Sequence, residues 1–155
     1  MKVISTEDNK KHDVLIGVAT PDDIKSISRI KNFNFNWLKP TGVTTLKLEL
    51  KETGKILGLM SITDRSGDYA IEINMLESSK ENVGKGKQYM NIAGCMIAYV
   101  CKESFRKGYD GYVCLKPKTE LIKHYAAIYG MKHTGLYMYV EGKDSYKIIS
   151  KYLES

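Results

Sequence analysis

A chain of 155 residues with 43 % apolar side chains is long enough for one domain around one core and too apolar for a disordered segment. No run of about 18 apolar residues occurs, which excludes a membrane-spanning helix, and the mixed charges before the first apolar patch, MKVISTEDNKKHDVLIGVA, exclude a secretory signal. The protein is therefore read as cytoplasmic. Its net charge of +6 is concentrated in residues 80–124, which hold nine basic and four acidic side chains and attract an anionic partner, nucleotide phosphate or nucleic acid.

In chain order, Asp13 to Thr20 reads as a short strand of β-branched residues. Thr20-Pro21-Asp22-Asp23 then starts a helix, with Thr20 as cap, proline in the first turn and two aspartates at the positive end of the dipole. Ile24, Ile27 and Ile30 form its apolar stripe, and Phe33, Phe35 and Trp37 extend the apolar cluster up to Lys39-Pro40-Thr41-Gly42. A meander follows. Leu46, Leu48 and Leu50 alternate with polar residues, Ile56 to Thr63 forms the second strand, and Tyr69 to Leu76 the third. Simple alternation puts Ile71, Ile73 and Met75 on one face of that third strand and Ala70, Glu72, Asn74 and Leu76 on the other.

A polar loop, Glu77 to Gly86, leads into a long helix over roughly Lys87 to Lys107, where Met90, Ala93, Ile97, Val100, Cys101 and Phe105 recur near helical spacing. Gly108 and Gly111 bracket its exit. Tyr112 to Leu115 reads as a strand, Thr119 to Tyr129 as a helix closed by Gly130, and Leu136 to Val140 as a strand. Ser145 to Leu153 fits either a helix or a strand end. The order predicts a mixed α/β (α+β) sheet covered by helices, in a single domain over 1–155.

Cys95, Cys101 and Cys114 form no CxxC pair and lie among apolar neighbours, which reads as buried reduced thiols. His12, His124 and His133 have no ligand spacing with Cys or carboxylates, so no metal is expected.

Gly84-Lys85-Gly86 stands between a strand and a helix. Helix-start amides lack internal partners, the dipole there favours anions, and glycines allow close backbone approach to a phosphate. Lys85 and Lys87 add charge. A P-loop is absent, and Tyr89 stands where a dinucleotide fingerprint needs a small residue.

The downstream run Tyr112-Val113-Cys114-Leu115, followed by Lys116 through Gly135, carries Tyr125, Gly130, Met131 and Gly135 at spacings that resemble the end of the catalytic core of the GNAT superfamily of acyl-CoA-dependent N-acetyltransferases. Glu81-Asn82-Val83-Gly84-Lys85-Gly86 resembles that family's (Gln/Arg)-x-x-Gly-x-(Gly/Ala) loop. Together the two motifs cover roughly residues 69–140. Glu81, Lys118 and Met131 depart from the pattern, standing for Gln or Arg, asparagine and an aromatic residue.

The resemblance implies a GNAT-like fold and direct transfer of an acetyl group from acetyl-CoA to a primary amine in a ternary complex. It implies Glu72 as general base, weighed against a solvated or ion-paired carboxylate, and Tyr125 as general acid to the leaving thiolate, weighed against a core tyrosine. It places the pantetheine arm along the backbone of Leu76 and Ser78, the pyrophosphate on the amides of Val83, Gly84, Lys85, Gly86 and Lys87, and the ribose phosphate near Lys85, Lys87 or Lys118. The acceptor amine, whether a small molecule, a peptide or RNA-linked, is not encoded. The family is often dimeric, and a homodimer is the assembly implied. Two alternatives stand beside this reading: a catalytically silent CoA binder on the same fold, and a basic nucleic-acid-binding module, which the helical core spacing of the central aromatics disfavours.

Overall fold

The alternation of leucines with charged residues after Val43 places three long strands side by side, and the rest of the molecule is built outward from them. A computed structural model describes residues 1–37 and 43–154. Its strands are β1 (Lys2–Ser5), β2 (Lys11–Val18), β3 (Thr44–Leu50), β4 (Ile56–Arg65), β5 (Ala70–Ser78), β6 (Tyr89–Met90), β7 (Val113–Leu115), β8 (Lys132–Thr134) and β9 (Tyr137–Val140). Its helices are α1 (Pro21–Ile30), α2 (Ile92–Arg106), α3 (Ile122–Tyr129) and α4 (Gly142–Leu153). The strands form one sheet in the order β6-β1-β2-β3-β4-β5-β7-β9-β8. Every pairing is antiparallel except β5 with β7, which the α2 crossover joins in parallel. The expected Lys39-Pro40-Thr41-Gly42 ending lies outside the described residues.

Helix α1 starts where its sequence says. Thr20 Oγ1 accepts from the Asp23 amide at 3.1 Å, and the Asp23 carboxylate accepts from the Thr20 amide at 2.8 Å, a reciprocal cap worth about 1 kcal/mol. Lys31 ends it in the left-handed region, its amide donating to the Ile27 carbonyl. One face of the sheet packs on α2, with Leu48, Met60, Ile71 and Ile73 against Met96 and Ile97 in the main core. The opposite face carries a smaller core, in which Ile27, Phe33 and Trp37 cover Leu59 and Met75.

Met75 thus breaks the alternation expected of β5. Ser61 pairs with Met75 and Ile62 with Ile73, so Asn74 is an extra residue with no register partner on β4, its side-chain amide donating instead to Thr63 Oγ1 at 2.8 Å. Such a bulge reverses the phase of everything after it. Leu76 therefore joins Ile71 and Ile73 on the α2 side, and Met75 turns to the α1 side. Strand β7 ends at Leu115. It pairs with β5 only over Ile71–Ile73 and Val113–Leu115, while β5 continues to Ser78, leaving past the end of β7 an edge of β5 without a strand beside it, the wedge.

Helix α2 begins at Ile92, not near Lys87. The apolar periodicity runs back through Met90, but Tyr89 and Met90 are taken by antiparallel pairing with Ser5 and Ile4 of β1. Thr6 extends this junction, its hydroxyl donating to the Lys87 carbonyl at 2.8 Å. The undecided C-terminal segment is helical. Tyr152 of α4 lies against Gly94 near the start of α2, where an added Cβ would stand 2.3 Å from its ring. Among the described residues no helix is long and apolar enough to cross a membrane. The three cysteines are buried and unpaired.

Candidate functional site

The start of α2 leaves backbone amides without a capping side chain. Asn91 precedes it in the left-handed region (φ 76°) and its side chain makes no capping bond. The first intrahelical bond runs from the Cys95 amide to the Asn91 carbonyl at 3.0 Å, so the amides of Ile92, Ala93 and Gly94 have no helix partner. They open on a cavity of about 270 Å³ lined by Ser78 at the end of β5, by Lys87, by Ala93 and Gly94, and by His124 and Tyr129 of α3. The helix dipole and the Lys87 ammonium both favour negative charge there.

Of the residues proposed for the cofactor, Ser78 and Lys87 line this cavity, and Leu76 packs on the same face of β5. Val83, Gly84, Lys85 and Gly86 do not stand at a helix start. They form an exposed excursion ahead of β6, whose ends are tied by the Gln88 amide to the Glu81 carbonyl at 3.1 Å and by the Tyr89 amide to the Asn82 side chain at 2.8 Å. A Cβ at Gly84 or Gly86 would meet nothing within 4 Å. Gln88-Tyr89-Met90-Asn91-Ile92-Ala93 also fits (Gln/Arg)-x-x-Gly-x-(Gly/Ala), with asparagine, the non-glycine residue most at ease at positive φ, in the glycine's place. That substitution hid the signal. Glu81 instead ties its loop to the neighbouring elements, accepting from Asn32 Nδ2 at 3.3 Å and pairing with Lys55 Nζ at 3.2 Å.

Tyr125 is half-buried on α3, its ring 6.0 Å from that of Tyr129 and 5.8 Å from His124. Burial pushes its phenol above the ordinary 10.0, so it keeps its proton throughout the neutral range.

Glu72 projects from the opposite face of β5, level with Cys114 on β7. Its Oε1 lies 3.2 Å from Arg65 Nη1, and Arg65 also meets Asp68 at 2.8 Å. The ion-pair reading of Glu72 is therefore the one observed, with an arginine of β4 rather than a meander lysine. Lys118 does not line the α2 cavity. Its Nζ stands 6.0 Å from the centre of the Phe35 ring, over the loop that follows α1.

Glu77 carries no signal in the sequence that marks it as functional. It is 9 % exposed, and its carboxylate accepts the amides of Asn34 and Phe35 and the indole N–H of Trp37, the last two at 3.0 Å. Three donors converging on one buried carboxylate fix residues 33–37 beside the wedge. No local pattern announces this, because the bulge alone turns Glu77 to that side. Among the described residues no group of three or more His, Cys, Asp or Glu side chains could hold a metal ion.

No family model matches the sequence, and no curated protein does. Solved structures do match. An aminoglycoside acetyltransferase in complex with coenzyme A and kanamycin superposes with a TM-score of 0.61 at 14 % identity, over 87 % of this chain and 98 % of that one. A putative streptothricin acetyltransferase from Bacillus anthracis in complex with acetyl coenzyme A gives 0.59 at 10 % identity, over 83 % and 98 %. A domain from Methanocaldococcus jannaschii gives 0.58 at 16 %, over 84 % and 99 %. The mixed sheet with its four helices and these superpositions agree: the chain has the fold of the GNAT acetyltransferases.

Proposed function

We propose that this protein transfers an acetyl group from acetyl-CoA to a primary amine by direct attack. The observation that carries the reading is the cavity at the start of α2, which joins free amides, Lys87 and Ser78 beside the wedge past the end of β7. Several structural neighbours are acetyltransferases, three of them solved with coenzyme A or acetyl coenzyme A. The pyrophosphate sits on the amides of Ile92, Ala93 and Gly94 with Lys87 beside it, and the pantetheine arm follows the backbone of Leu76 to Ser78 into the wedge. There a backbone N–H meets the thioester oxygen as it gains charge. The amine nitrogen bonds to the carbonyl carbon, the C–S bond breaks, and the thiolate takes the Tyr125 proton. The amine proton leaves through water to Glu72. A catalytically silent CoA binder is the second reading, favoured by the Arg65 pair that occupies Glu72.

Ala93→Asp tests the central claim. An aspartate in the first turn suits the helix, so folding is preserved, while its charge opposes a phosphate. Calorimetry is expected to show acetyl-CoA affinity falling at least about tenfold, a loss of ~1.4 kcal/mol. Gly84→Asp is expected to change it little. The reverse pattern would move the phosphate site to the glycine loop. Free-thiol release with a panel of amines then separates transferase from silent binder.

A further inference from the structure

With α2 covering one face of the sheet, an acceptor reaches the wedge from the other, between residues 33–37 and β9. The acids on that face are already engaged. Glu72 and Asp68 both hold Arg65, and Glu77 is buried under three N–H donors. Two of the cations are not. Lys116 and Lys118 flank Pro117 at the point where β7 ends and the wedge opens, both are exposed, and neither forms an ion pair within the described residues. Each is drawn over an aromatic ring, Lys116 Nζ at 5.2 Å from the Tyr137 ring centre and Lys118 Nζ at 6.0 Å from that of Phe35. The two rings belong to opposite banks of the approach, β9 and the loop after α1. A cation over a ring face is held at the protein surface rather than left to roam in solvent. Two such ammonium groups without a carboxylate partner repel a polycationic acceptor and attract an anion.

We infer that the acceptor is a small amine carrying its own anionic group, a carboxylate or a phosphate, which sits between Lys116 and Lys118 while the amine enters the wedge. This rests on the transferase reading above, and it separates the protein from its structural neighbour bound to kanamycin, a polycationic sugar.

Matched acceptors test it: ethanolamine against O-phosphoethanolamine, and β-alaninamide against β-alanine, with spermidine as the polycation. Thiol release is expected to give a kcat/KM about tenfold higher for the anionic member of a pair, the scale of two partly solvated ion pairs. Whichever pair shows the larger ratio identifies phosphate or carboxylate. Lys116→Ala with Lys118→Ala is expected to erase the preference, and Lys116→Ala alone to reduce it while calorimetric acetyl-CoA affinity stays unchanged. Preference for the neutral amines or spermidine, or survival of the preference in the double variant, overturns the inference. If the protein binds CoA but consumes none of these amines, amide NMR of the CoA-loaded protein decides. Shifts at Lys116, Lys118 and Tyr137 with O-phosphoethanolamine and not with ethanolamine support it, and their absence overturns it. A wild type that fails to bind CoA removes the transferase reading and this inference together.

Discussion

Replacing Glu77 by glutamine tests what holds the acceptor-side loop. One carboxylate oxygen takes the Asn34 amide and the other takes the Phe35 amide and the Trp37 indole. An amide side chain keeps one acceptor and turns the other into an NH₂ donor. Its least costly orientation gives up the Asn34 bond and sets two donors face to face in a site that is 9 % exposed. A hydrogen bond to a charged group contributes about 1.5–3 kcal/mol, and a stranded buried donor costs about 1–3 kcal/mol. After local relaxation the net loss is expected to be ~2–3 kcal/mol. Trp37 is the single tryptophan and is 2 % exposed, so its emission reports this loop alone. Urea unfolding followed by tryptophan emission and by far-UV circular dichroism is expected to show a lower midpoint, with native emission shifted to the red. A change below about 0.5 kcal/mol with unmoved emission would refute the idea that Glu77 anchors residues 33–37.

Gly94→Ala is expected to destabilise, because the new methyl overlaps the buried Tyr152 ring 2.3 Å away. Overpacking of ~1–3 kcal/mol outweighs the ~1 kcal/mol gained in helix propensity, and a double-mutant cycle with Tyr152→Leu should return most of it. Alkaline pH should also weaken the fold. Burial pushes the Cys95 and Cys114 thiols up to about 11 and Cys101 to about 12, from an ordinary 9.0. Above that ordinary value the unfolded chain loses thiol protons that the native state keeps. Stability is therefore full below pH 9 and falls as pH rises from 9 toward 11, by about 1.4 kcal/mol per pH unit for each thiol. Thermal melts across that range check the slope, and Cys101→Ala should flatten it.

Local chemistry was legible where the partners are near in sequence. Thr20 and Asp23 complete each other's cap three residues apart, and the leucines of β3 announce their own face. What stayed hidden depends on distant pairing. Strand β1 is four residues long, and its hold on Tyr89 and Met90 spans some 85 positions, yet that contact decides where α2 begins. The bulge at Asn74 has no sequence mark and relocates Met75 and Glu77 together. At the site, the strand end at Ser78 and the basic Lys87 were legible as local cues, and both line the α2 cavity. The helix start itself was not, because two glycines advertised a turn while Asn91 took up the left-handed conformation unannounced.

Asn74 imposes a parity on the chain. Downstream of it, even-numbered residues of β5 face α2 and odd-numbered ones face residues 33–37, the reverse of the order upstream. Deleting that one residue would leave Glu77 and Ser78 on the sides they now face, because Ile73 and Met75 would then alternate as Ile62 and Ser61 of β4 already do, whereas straightening the bulge at constant length would exchange them. A strand shorter by this one residue should therefore keep both of its faces.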